Sequence, residues 1–303
     1  MAKLIRKCTN TILLFLWPLM ACCQSSNELI VCGDNQALIL DVAQSKDTIP
    51  QVIWHWKANE AADLPDEYRT RYFQSVDECK PVSNGTQLLL TSSSGGVALI
   101  DRASKKTLFY ALVGNAHSAE LLPKNRIAVM ASTHVQGNRI VLFNINKPET
   151  PIFYDSIYSG HGVVWDQQNQ LLYALGYDEL RAYQLNNWTS TSPSLKRQNS
   201  WKIPGSSGHD LSPWPKDHDK LVLTEHGSVW LFDKPTGKFE SFEPLKGRED
   251  VKAVSLHHST NRIAFIQAEI SWWSHRIYLM NPDQWFSFPE IKLYKTRWVP
   301  GNN

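Results

Sequence analysis

No run of eighteen consecutive apolar residues occurs in the 303-residue sequence, so no segment reads as a membrane-spanning helix. Methionine is scarce, at four, and no amphipathic pattern persists through three helical turns. The longest helical candidate, 59–73, is interrupted by Pro65. A helical bundle is therefore excluded. Neither charge is in surplus. The formal net charge is +2, and Lys3, Arg6 and Lys7 in the first twenty-one residues have no acid beside them, which leaves 28 basic against 29 acidic residues. Nucleic-acid binders carry a basic surplus, so nucleic acid is not expected as a partner. The five cysteines (Cys8, Cys22, Cys23, Cys32 and Cys79) include no CxxC spacing, which removes cysteine zinc sites and thioredoxin-like redox motifs. P-loop, GxSxG, HExxH and GxGxxG patterns are absent as well, and no organic cofactor is expected.

What is present is aromatic and strand-forming. Twelve Trp, ten Tyr and eleven Phe stand among 42% apolar and 20% charged residues, a composition that buries a core and favours pleated, half-buried positions. Residues 1–21 have the three parts of an export signal: the basic Lys3, Arg6 and Lys7, a short apolar stretch from Thr11 to Met20, and the small Ala21. Leu19-Met20-Ala21-Cys22 resembles the lipobox of bacterial lipoproteins, which implies that Cys22 is lipidated and that 22–27 form a tether. A plain secretory signal is the other reading. The lipobox reading places the protein outside the cytoplasm, touching a bacterial membrane through its lipid alone. Cys32 and Cys79 then remain in the folded body, either bridged or as buried thiols.

From residue 28 onward, short apolar runs bounded by Gly, Asn, Asp and Pro fall into groups of four. The second run of each group begins near residues 28, 87, 126, 171, 220 and 262. Four strands recurring every roughly forty to fifty residues are the signature of a propeller blade. The expectation is an all-β, six-bladed β-propeller of four-stranded antiparallel blades, monomeric, as one domain over 28–303. A seventh blade would need strands hidden in 57–78, which reads as a loop or short helix. The first group lacks an inner strand, and the segment 284–303 must close the ring, though the pattern does not show which strand it donates.

Inner-strand mouths converge on the axis of a propeller and gather functional side chains. Three consecutive groups put a histidine there: His117 in GNAHS, His161 in YSGHG and His209 in SSGHD. Three imidazoles with an open position suit a divalent metal, Mn, Zn or Ca, with Gln267 as a fourth, neutral ligand. Glu78, Lys80 and Lys252 are read at neighbouring mouths. Loops after the second strands add His134, Tyr177, His226 and Glu269, and Trp272 and Trp273 offer flat faces for sugars. Lys80, Lys252, Tyr177, His134 and His226 are the candidate proton carriers or carboxylate holders. Glu78, Glu269, Trp272 and Trp273 are the candidate substrate contacts.

The runs ECKPV (78–82), GNAHSAELLP (114–123), SGHGVVWD (159–166), GHDLSP (208–213) and QAEISWW (267–273) resemble an uncharacterised family of secreted Gram-negative propeller proteins across nearly the whole mature chain. That resemblance implies a fold and no activity. More remotely, the arrangement is similar to propeller polysaccharide lyases of the oligogalacturonate lyase type. This likeness implies a divalent metal held by His117, His161, His209 and Gln267, and elimination across a uronic acid. Two functions follow as expectations: a metal-assisted lyase or hydrolase acting on a glycan outside the cytoplasm, or a non-catalytic lipoprotein that binds carbohydrate or protein with the same face.

Overall fold

The computed structural model describes residues 27–301. The signal at 1–21, Cys22 and the tether up to residue 26 lie outside the described residues. Among the described residues, twenty-four strands form six separate four-stranded antiparallel sheets, and these are the blades of a propeller. Blade 1 consists of Leu293–Trp298, Glu28–Gly33, Gln36–Lys46 and Ile49–Lys57, so the C-terminal segment donates the innermost strand. That settles the point the repeat pattern left open. Blades 2 to 6 are each continuous in sequence, with inner strands Val76–Val82, Ala116–Leu122, Gly162–Asp166, Asp210–Pro213 and Val251–Leu256. The insert at 57–78 holds a 3-10 turn and one short π-helical turn, with no extra blade.

The strands read as nearly unbroken apolar runs because both of their faces are buried. In Glu28–Gly33, Leu29 and Val31 pack toward blade 6, whereas Ile30 and Cys32 pack toward blade 2. The same division repeats around the ring, giving six apolar clusters among the described residues, one at each blade junction. Alternation is kept, but each period-two face has a blade to bury it. Turns use residues that tolerate left-handed backbone. Lys124 and Asn125 (φ 63° and 55°) connect the first two strands of blade 3, and Asp34 (φ 45°) turns the first hairpin of blade 1. Gly33 is required for a different reason: a Cβ there would collide with the backbone of Lys292 and Leu293, where the closing strand comes in.

Candidate functional site

Four of the six inner strands share one irregularity at their start. In blades 2, 3 and 6 the pairing skips one residue, leaving Asp77 between Val76 and Glu78, His117 between Ala116 and Ser118, and Lys252 between Val251 and Ala253. Tyr294 is left unopposed in the same way on the closing strand, between Leu293 and Lys295. In blades 4 and 5 the equivalent residues are His161 and His209, whose N–H groups donate to Leu175 and Thr224 at the top of the neighbouring strand, at 2.9 and 2.8 Å. Bulges re-aim a side chain that strict alternation would turn into the blade junction. Every blade thus places one ionisable residue at the same mouth position: Tyr294, Asp77, His117, His161, His209 and Lys252 in blade order.

These side chains meet. The His117 and His161 rings are 4.3 Å apart centre to centre, and His161 and His209 are 5.7 Å apart. Tyr294 lies edge-on to His117 at 6.0 Å, and the part-exposed Trp272 lies edge-on to Tyr294 at 5.9 Å. An arc of five rings therefore runs around the mouth, and at its far end Lys252 Nζ donates to His209 Nε2 at 2.8 Å. Lys252 also donates to Asp250 Oδ1 at 3.1 Å, and the exposed His226 contacts the same oxygen through Nδ1 at 2.9 Å. His209, Lys252, Asp250 and His226 form one hydrogen-bonded chain from the axis to the surface.

Burial sets the protonation of the ring. It pushes His117 well below the ordinary imidazole range, with His161 adding repulsion, and it lowers His161 to about 4. His209 falls to about 2 through burial and then the Lys252 charge. The Nδ1 atoms of His117 and His161 contact the carbonyls of Asn115 and Ser159 at 3.1 and 2.9 Å. A neutral ring with Nδ1–H donated in this way keeps its Nε2 lone pair for something else. Burial raises Asp77 to about 7, against the hydrogen bond it accepts from the Ser93 N–H. Burial also lowers Lys252, an effect that Asp250 opposes.

Beneath the mouth the axis is closed by four buried charges. Arg297 donates to Asp210 from both terminal nitrogens and to Glu78 Oε2 at 2.9 Å. Lys295 Nζ lies 3.2 Å from Asp210 and 3.5 Å from Glu78, and it reaches the carbonyl oxygens of His117 and His161 at 3.4 and 3.3 Å. Burial alone would push Glu78 and Asp210 up, but Arg297 and Lys295 outweigh it and hold both carboxyls below their ordinary range. Both cations come from the closing strand, so ring closure, charge balance and support of the histidines depend on the same segment.

Several residues that the sequence reading put at the mouth stand elsewhere. The inner strand of blade 2 starts at Val76, earlier than its apolar run suggests, which moves the candidates down the strand. Glu78 belongs to the buried plug. Lys80 lies deeper, where it donates to Glu120 at 3.0 Å and to the Val163 carbonyl at 2.7 Å. There it lines a cavity of about 230 Å³ with Trp165, Arg297 and Trp298, toward the other end of the inner strands. Gln267 spends its amide on Arg248 and Glu249, at 3.1 and 3.0 Å. Glu269 is engaged by Ser274, Tyr278 and Arg276. Trp273 packs on His275 at 4.7 Å, and Tyr177 on Tyr158 at 5.5 Å. His134 accepts a hydrogen bond from the Gln136 N–H in its own loop. The sequence reading missed Asp77, Tyr294 and Asp250.

The expected ligand set of His117, His161, His209 and Gln267 is not assembled around one point. Among the described residues, the His/Asp group whose donor atoms all lie within 4.8 Å is His209, His226 and Asp250, and Lys252 Nζ already bonds two of its three members. His117 and His161 each spend Nδ1 on a backbone carbonyl, which leaves Nε2 of both rings as a lone-pair nitrogen, a donor pair that fits a transition ion better than the oxygen-seeking Ca.

The likeness to solved structures is one of fold. The chain is similar to a chain in the crystal structure of a nidogen/laminin complex, with 11% identity, a TM-score of 0.59, and coverage of 89% of this chain and 97% of that one. It is also similar to the β-propeller domain of Cps50 (Swd1) from Myceliophteria thermophila, with 10% identity, a TM-score of 0.51, and coverage of 80% and 90%. No curated protein matches. Residues 23–303 match the family described as "Family of unknown function (DUF6528)", and the chain belongs to that family.

Proposed function

We propose that the histidine mouth is the working site of an extracytoplasmic lipoprotein, anchored through Cys22, that takes the acidic end of a glycan and transfers protons on it. The observation that carries this reading is the ring of six ionisable residues. Six ionisable side chains, three of them buried (Asp77, Lys252 and Tyr294) and three half-buried, are costly to gather at one position without a use. Lys252 supplies positive charge for a sugar carboxylate. His117 and His161, neutral with Nδ1 spent on backbone carbonyls, supply proton acceptors at Nε2. Asp77, raised to about 7, holds a proton it can give up near neutrality. In an elimination, one imidazole takes the proton next to the carboxylate while the leaving oxygen is protonated as its bond to carbon breaks. A transition ion held by His117 and His161 would add polarisation of the carboxylate.

The decisive experiment incubates the purified protein with acidic oligosaccharides and follows unsaturated products by ultraviolet absorbance, alongside metal analysis. Product formation that is lost in His117→Ala/His161→Ala supports the enzyme. The arc from Trp272 through Tyr294 to His117 favours a second reading, a carbohydrate-binding lipoprotein. Binding of the same sugars without turnover, weakened by Trp272→Ala, supports that reading. A protein that neither binds nor converts any glycan overturns both.

A further inference from the structure

The junction of blades 1 and 2 contains both cysteines of the folded body. Cys32 lies on Glu28–Gly33 and Cys79 on Val76–Val82, exposed by 1% and 0%, and no bond joins them in this structure. Each Sγ lies 3.7 Å from the same acceptor, the carbonyl oxygen of Lys295 on the closing strand, and the two thiols are hydrogen-bond neighbours. Apolar packing would be served equally by alanine or valine on these strands, and neither would aim two polar groups at one oxygen. The place matters too. Glu28–Gly33 is the first strand of the body and pairs with the last, Leu293–Trp298. Hydrogen bonds hold those two strands together, whereas apolar side chains hold blade 1 against blade 2.

We propose that Cys32 and Cys79 are the two halves of a disulfide that staples the ring beside its closure when the protein folds in the presence of a low-molecular-weight disulfide. One cysteine thiolate attacks the small disulfide, whose sulfur–sulfur bond breaks and whose departing thiolate takes up a proton. The second cysteine thiolate then attacks the mixed disulfide, forms the Cys32–Cys79 bond and expels a second small thiol. Two protein thiols are oxidised and one small disulfide is reduced to two thiols. Both sulfurs are enclosed in the native core, so the exchange takes place as the chain folds and is slow once the blades have packed. This inference is independent of the glycan reading, because its test involves no ligand.

The test uses the full chain with Cys8→Ser, Cys22→Ser and Cys23→Ser, refolded from urea with either oxidised glutathione or reductant. The expected product of the oxidised arm is two hydrogen atoms lighter, carries no glutathione, and yields a cross-linked peptide containing Cys32 and Cys79. Its melting midpoint should exceed that of the reduced arm by on the order of 5 °C. Peptide mapping of the wild-type chain purified without reductant should give the same cross-linked peptide, whatever the folding yield of the variant. Two free, alkylatable thiols, glutathione adducts alone, or a bridged protein that melts lower than the reduced one would each overturn the proposal.

Discussion

Arg297 grips Asp210 with both terminal nitrogens, Nη1 to Oδ2 at 2.8 Å and Nη2 to Oδ1 at 2.5 Å, joining the closing strand of blade 1 to the inner strand of blade 5. The pair is almost fully buried, at 7% and 1% side-chain exposure, and Glu78 joins it from blade 2. Replacing Arg297 with methionine keeps much of the volume but leaves two carboxylates sharing Lys295. Breaking a buried pair by removing one partner costs about 3–5 kcal/mol. Urea unfolding should show a loss of that size for Arg297→Met and a smaller one for Arg297→Lys, which keeps the charge but not the fork. Equal stability of Arg297→Met and wild type would mean that the plug is not what closes the axis.

Much of this architecture was legible in the sequence, because a repeat writes its period in apolar runs, and the period alone gives six blades of four strands. The histidines at 117, 161 and 209 were legible for the same reason: they recur at one place in consecutive repeats. What stayed hidden was the bulge. A skipped residue leaves no mark on hydrophobic alternation, so ECKPV read as the start of a strand that begins at Val76, and Glu78 and Lys80 were placed too high. Tyr294 was hidden by topology, since its strand joins a blade whose other strands lie more than two hundred residues earlier. Contacts between loops, such as Asp250 with His226, have no sequence period at all.

Acid should loosen the mouth before the rest of the fold. An unfolded histidine takes up its proton as the pH falls through about 6.5, whereas half-buried His161 resists protonation down to about 4. Stability from this group is therefore present above 6.5 and is lost between 6.5 and 4, by up to about 3 kcal/mol. His161→Gln does not titrate. The difference in unfolding free energy between it and wild type should change across that window and be flat above pH 7. A pH-independent difference would mean that His161 is as easily protonated folded as unfolded.

Membrane retention should depend on one residue. If Cys22 carries the lipid, Cys22→Ser should move the protein from the membrane to the soluble fraction while leaving its circular dichroism unchanged, because the propeller strands begin at Glu28. Cys23→Ser should have no effect. Retention of Cys22→Ser in the membrane fraction would remove the lipobox reading and leave the histidine mouth to be judged without it.

Asp77 should destabilise the protein it belongs to at neutral and higher pH. Its carboxyl is 2% exposed, and burial raises it from 3.8 to about 7. Below 3.8 the folded and unfolded forms are both protonated and nothing is lost. Between 3.8 and 7 the unfolded chain gives up the proton and the folded one keeps it, so stability falls as the pH rises through this window and stays low above it. The difference amounts to at most about 4 kcal/mol. Asp77→Asn retains an oxygen to accept the Ser93 N–H and carries no charge, so it should match wild type near pH 3.5 and exceed it at pH 8 by urea unfolding. A fold that tolerates this cost at one of six equivalent positions has a reason other than stability for a carboxyl there. Under the proton-transfer reading, the same variant that gains stability should lose turnover, and its pH–rate profile should lose the limb near 7. A gain at pH 8 with turnover intact would leave Asp77 a buried acid with no part in the chemistry and shift the proton-carrying role to Lys252 and the His226–Asp250 pair.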